Sequence, residues 1–136
     1  MSEQNKALVR RWFDEVWNQG RFESVDELLT ADAVVHGLGE PMRGPAEFRP
    51  FHNAYRQAFP DMHIEIDDMV AEGDKVAFRW TVTGTNRGGT LGFAATNRRA
   101  RFEGMGMVRV RDGKLVEGWN SFDQLGMLQQ LGVIAR

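Results

Sequence analysis

The hydrophobic period of this chain changes once, near His63, and that change limits the folds open to it. Up to Phe59 the apolar residues recur at helical spacing; beyond it they alternate residue by residue between tight-turn signals. Leu8, Val9, Trp12, Phe13, Val16 and Trp17 predict an amphipathic helix over 4–18, stopped by Asn18-Gln19-Gly20. Ser24-Val25-Asp26-Glu27 reads as a capping box opening a second, short helix, and Ala33 to His36 as a short extended segment ending at Gly37. Gly44-Pro45 starts a third helix with Phe48, Phe51, Tyr55, Ala58 and Phe59 mostly on one face. Pro50 predicts a kink in it, or a start later than Pro45.

Strands are predicted at 62–71, 75–86, 98–111 and 114–122, with Glu72-Gly73-Asp74 and Asp112-Gly113-Lys114 as hairpin turns. The Gly-rich stretch from Arg87 to Thr96 is expected to be a mobile flap. Helices first and a meander after predict an α+β fold, one domain over 1–136, with helices packed on one face of a curved sheet.

Composition excludes several function classes. A net charge of −2 provides no general field for nucleic acid or an anionic membrane, and the run Arg98-Arg99-Ala100-Arg101 reads as a solvated strand face. No cysteine is present, which removes disulfides, thiolate metal sites and cysteine nucleophiles and fits a reducing cytoplasm. His36, His52 and His63 lack metal-ligand spacing, so no metal is expected. His52 is expected on a helix surface and His63 at a strand edge. No apolar run approaches the ~20 residues of a membrane span.

Alternation divides the last two strands into faces. Phe102, Gly104, Gly106, Val108 and Val110 point one way; Arg101, Glu103, Met105, Met107 and Arg109 point the other. On the closing strand Val116, Gly118, Asn120 and Phe122 share a face, and Glu117, Trp119 and Ser121 the opposite one. Pairing through Asp112-Gly113-Lys114 sets Gly104, Gly106 and Gly118 around Asn120, a small concave space with one polar group. The glycines either leave room for a ligand or for close approach of a helix, or meet a bend or bulge in the sheet. Met105, Met107 and Trp119 on the other face suit a subunit interface, and a homodimer through the outer sheet face is expected.

With these motifs on the page, the chain resembles the SnoaL-like polyketide (ester) cyclases of the nuclear transport factor 2-like superfamily. The resemblance runs from Phe13 and Trp17-Asn18-Gln19-Gly20, through Gly44-Pro45, Phe59-Pro60-Asp61, Gly84-Thr85, Gly92 and Thr96, to Asp112-Gly113-Lys114 and Leu131-Gly132. It implies a cone of curved mixed sheet closed by helices around one pocket, with cofactor-free chemistry. In that chemistry a pocket carboxylate removes a proton alpha to a carbonyl, and the enolate closes a ring. Aligned on Gln130-Leu131-Gly132, the family's pocket aspartate falls on Asn120 and its partner histidine on Gly106; the related limonene epoxide hydrolases also carry an aspartate at the Asn120 position. An amide hydrogen-bonds but cannot carry a proton through a cycle at neutral pH.

The candidate catalytic residues are therefore Asn120, to orient a water or polarise a carbonyl; His36, a base or donor at the pocket mouth; and Asp123, in reserve as an acid. His36 alternatively is a structural histidine, and Asp123 is a natural cap for the helix that follows it. Trp17, Phe13, Tyr55, Phe51, Phe102, Gly104, Gly106 and Gly118 are the candidate substrate-binding residues. The expected function is a cofactor-independent cyclase-type enzyme acting on a small, largely apolar carbonyl compound. The alternatives are a small-molecule-binding domain that lost the acid, and a partner domain using its outer sheet face.

Overall fold

The computed structural model describes residues 2–135. Its sheet has six strands in the order β2-β1-β6-β5-β4-β3: β1 Leu29–His36, β2 Met42–Arg43, β3 His63–Glu72, β4 Lys75–Thr85, β5 Arg99–Arg111 and β6 Lys114–Phe122. Every pairing is antiparallel except β1 with β6. Helices α1 (Ser2–Arg11), α2 (Glu23–Leu28), α3 (Gly44–Ala58) and α4 (Gln124–Gln130) complete a mixed α+β fold with a curved sheet. The core lies between the helices and the inward side chains of β3 to β6, such as Ile64, Phe78, Trp80, Val82, Phe102 and Leu115.

The first helix continues past Arg11 as a π-helix over Trp12–Asn18. Winding with i→i+5 bonds brings Trp12 and Trp17 one above the other, so both indoles and Phe13 face the sheet. Two side chains from α3, one turn apart, close the carbonyl end of this segment. His52 Nε2 donates to Val16 O at 2.6 Å, and an Arg56 guanidinium N–H donates to Trp17 O at 3.0 Å. At the same end Asn18 pairs with the backbone of Ile64 in both directions, at 3.0 and 2.6 Å, covering part of edge strand β3.

Several local expectations change. The Ser24 hydroxyl does not cap α2; fully buried, it donates to Glu15 Oε1 at 2.7 Å, because a buried hydroxyl needs a partner and the π-helix supplies one. The third helix begins at Gly44 and runs unbroken through Pro50. Instead of a lone extended segment at 33–36, β1 spans Leu29–His36 and joins the sheet parallel to β6. The stretch 87–96 is strapped down. Asn86, with no exposed surface, donates to Ala58 O and Gly88 O and accepts from the backbone and hydroxyl of Thr96. Thr90 adds a hydroxyl bond to Ala54 O at 2.6 Å, and Leu91 and Phe93 pack on the core.

His52 is not on a surface: only 2% exposed, it sits among Trp17, Phe22 and Phe48, and its Nδ1 has no partner among the described residues. Nε2 must carry the proton to reach Val16 O, so a second proton would land on a buried, unpaired nitrogen. Burial accordingly pushes the His52 pKa down. Because the folded protein resists a proton that the unfolded chain accepts, this contribution to stability is complete above about pH 6.5 and declines as pH falls toward the folded pKa, by up to ~1.4 kcal/mol per pH unit. Thermal melts at pH 7 and pH 5 are expected to show a steeper acid loss for the natural protein than for His52→Gln; equal losses would remove His52 as the cause.

Candidate functional site

Inward side chains of the sheet, the π-helix and α3 enclose a cavity of about 100 Å³. Its wall carries most of the aromatic residues of the chain: Trp12, Phe13, Trp17, Phe48, Phe51, Tyr55, Phe78, Trp80, Phe102 and Phe122. They interlock edge to face, as in Phe13 on Phe78 at 5.1 Å and 74°, and Trp17 on Phe51 at 6.1 Å and 90°. Val9, Leu29, Val35, Leu38, Met62, Ile64, Val82, Val108, Leu115 and Gly118 fill the remainder, beside Asn120 and Glu117.

Asn120 is held by the parallel β1–β6 junction. Its Nδ2 donates to His36 O at 3.3 Å, and no hydrogen-bond donor among the described residues reaches its Oδ1. Gly37, at φ +90°, turns β1 away immediately beside the Asn120 backbone; a Cβ there would overlap Asn120 O. Only glycine permits both the left-handed turn and that approach.

Trp17, Phe13, Tyr55, Phe51, Phe102 and Gly118 all lie on the cavity wall with Asn120. Gly104 and Gly106 do not. Across β4 they face Trp80 and Phe78, and a Cβ on either would strike those rings. The two glycines make space for aromatic side chains rather than for a ligand, and the rings fill the expected hollow.

The imidazole of His36 also lies outside the cavity. In the parallel register Val35 sits opposite Gly118 and faces inward, so His36, opposite Trp119, faces outward. There it stacks on Trp119 at 5.7 Å and 17°, with Nε2 2.8 Å from Glu117 Oε2. Glu117 Oε1 accepts from Arg109 at 3.1 Å, so both of its oxygens are engaged on the outer side. What His36 lends the cavity is its carbonyl, which orients Asn120.

Asp123 caps α4, its Oδ1 accepting from Gly126 N at 2.9 Å, and it does not line the cavity. Val116 is the extra residue of a β-bulge opposite the Arg109/Val110 step, and Leu115 takes the inward position expected of it. Glu103 points outward and is exposed.

Alternation on the first hairpin could have identified Trp80 and Phe78, since a glycine paired with a large ring marks a notch and its filler. Among the described residues no group of three or more His, Asp or Glu could hold a metal ion, and no helix is long and apolar enough to cross a membrane. Chemically, the cavity offers broad aromatic faces, an amide oxygen and a phenol, and no free carboxylate or imidazole.

A family model described as SnoaL-like polyketide cyclase matches residues 7–131. The aklanonic acid methyl ester cyclase DnrD of Streptomyces peucetius is 30% identical over 129 residues, covering 92% of this chain and 88% of its own. DauD of Streptomyces sp. (strain C5), a cyclase of the same description, is also 30% identical, over 92% of this chain and 80% of its own. Among solved structures, wild-type IdmH from Streptomyces antibioticus superposes with a TM-score of 0.83 at 32% identity, over 95% of this chain and 99% of that one.

Proposed function

The chain belongs to the SnoaL-like polyketide cyclase family, and from that footing we propose that it closes a ring on a small, largely apolar carbonyl compound without a cofactor. One observation carries the reading. An aromatic cavity surrounds a single oriented amide whose Oδ1 has no protein partner.

The absence of a free base shapes the mechanism. Asn120 Oδ1 holds a water, which takes the proton from carbon alpha to a carbonyl. The resulting enolate attacks a second carbonyl carbon within the same molecule, forming the C–C bond, and the alkoxide product takes that proton back from the protonated water, restoring it. A positioned general base typically contributes 10²–10⁴-fold, so the substrate must have an acidic C–H, as between two carbonyl groups. Aromatic walls fold the chain so that the two carbons approach, which supplies the orientation term.

The test follows from the relatives' printed substrate. Incubated with aklanonic acid methyl ester, the protein is expected to yield a product of unchanged mass and new chromatographic mobility. Asn120→Ala should lower the rate about 100-fold, the low end for losing a positioned hydrogen-bonding group. Equal rates for both proteins would remove Asn120 from the mechanism.

A second reading is favoured by one specific observation: the only carboxylate at the wall among the described residues, that of Glu117, is bound outward by His36 and Arg109. On that reading the cavity binds a ligand without turning it over. Thermal stabilisation by an aromatic ketone with no product by mass spectrometry would select it; any product would exclude it.

The outer sheet face is proposed to pair two copies. Met105 (62% exposed) and Val70 (65%) stand there beside Trp119 and Met107. Light scattering should report twice the 15.4 kDa chain mass; a monomer would refute the pairing.

A further inference from the structure

Tyr55 is the only tyrosine of the chain, and it lies on the cavity wall. Its ring is fixed between Phe51, with centroids 4.8 Å apart, and Phe122, edge-on at 6.1 Å and 86°. Phe122 follows Asn120 by two residues on β6, and residues two apart on a strand share a face about 7 Å apart. The phenol thus belongs to the same end of the cavity as the amide. Its backbone carbonyl accepts from Phe59 N, whereas its hydroxyl has no hydrogen-bond partner among the described residues. Burial pushes its pKa up, which keeps it a protonated donor.

Asn120 cannot serve an anion well. One N–H of its Nδ2 is committed to His36 O, and the Oδ1 beside the remaining N–H is an acceptor, which repels negative charge. The indole N–H groups of Trp12, Trp17 and Trp80 are the other neutral donors at the wall, and a phenol, being more acidic, is the stronger donor. A neutral donor in an apolar cavity also avoids the cost of burying a cation, and its bond to developing charge is strengthened by the low dielectric.

We propose that the Tyr55 hydroxyl binds the reacting carbonyl oxygen and stabilises the oxyanion that develops on it, opposite the acceptor presented by Asn120. Donor and acceptor then divide the work: Tyr55 holds the oxygen that gains charge, and Asn120 holds the water that receives the proton. The inference rests on the ring-closure reading above, and its test separates the two.

Two planar probes are compared at pH 8: 4-nitro-1-naphthol, ionised there and a mimic of an enolate, and 1-nitronaphthalene, which lacks the oxygen. Tyr55→Phe is expected to weaken naphtholate binding at least tenfold while leaving nitronaphthalene unchanged. With 3-fluorotyrosine incorporated, the protein has one ¹⁹F resonance; the ring current of either probe moves it, and the naphtholate is expected to move it further, equal shifts overturning the donor role. That second measurement uses the unsubstituted fold, so it decides the question even if Tyr55→Phe does not fold. Unchanged binding of both probes by the variant, or equal weakening of both, would overturn the donor role of Tyr55 and leave the cavity reading standing. Failure of the unsubstituted protein to bind either probe would overturn the cavity reading, and this inference with it.

Discussion

Gly104→Ala is expected to lower the melting temperature by about 10 °C, a large loss for one added methyl group. The new Cβ would lie inside the contact distance of three ring atoms of Trp80, with Cζ2 at 2.5 Å. Trp80 is almost fully buried and hemmed in by Phe13 at 6.1 Å and Phe78 at 6.4 Å, so the indole cannot shift without disturbing the cavity wall. Overpacking of this kind costs ~3 kcal/mol, and each kcal/mol shifts the midpoint by roughly 2–4 °C in a chain of this length. Trp80→Leu in the same background should restore part of the loss, because the two sites share one space. A melt of Gly104→Ala within ~2 °C of the natural protein would show that the notch is not needed.

Asn120→Asp should convert a pH-indifferent contact into a titrating one. The amide now donates to His36 O; a carboxyl can do so only when protonated. Apolar surroundings and the facing carbonyl both disfavour the carboxylate, so the folded pKa of the introduced group rises above its unfolded value of about 3.9. Raised folded pKa means that the variant is stable relative to its unfolded state below about pH 4 and loses stability as pH climbs through the folded pKa. A shift of two units would remove ~2.7 kcal/mol at pH 8. Melts from pH 4 to pH 8 should therefore converge with the natural protein at the acid end and diverge at the alkaline end; a constant offset would contradict the hydrogen-bond arrangement. If the family's carboxylate chemistry is what this cavity has foregone, the same variant should turn over aklanonic acid methyl ester at least ~10-fold faster at pH 8, where the base is ionised.

Much of the cavity wall was legible because β-strand parity is strict. Phe102, Gly118, Asn120 and Phe122 fall on one face by counting alone, and the structure places all four at the cavity. Helical spacing likewise set Phe13, Trp17, Phe51 and Tyr55 toward the interior. Parity failed at Val116, where one bulge residue restored the count for Leu115, and bulges leave no unambiguous mark in a sequence. Asn86 was invisible for a different reason: its four side-chain bonds reach Ala58, Gly88 and Thr96, partners that only the folded loop assembles.

Local physics in the sequence determined the helices, the hairpins, the α+β class and the apolar character of the interior, all of which depend on neighbours a few residues apart. Only the tertiary structure decided what the polar groups do. The parallel docking of β1 against β6, between segments some eighty residues apart, turned His36 outward and gave Asn120 a carbonyl to hold. The packing of β4 on β5 filled the glycine notches with Trp80 and Phe78, whose rings became cavity wall beside Phe102, Gly118 and Asn120. Periodicity says which face a side chain is on; it does not say which distant element will meet it there.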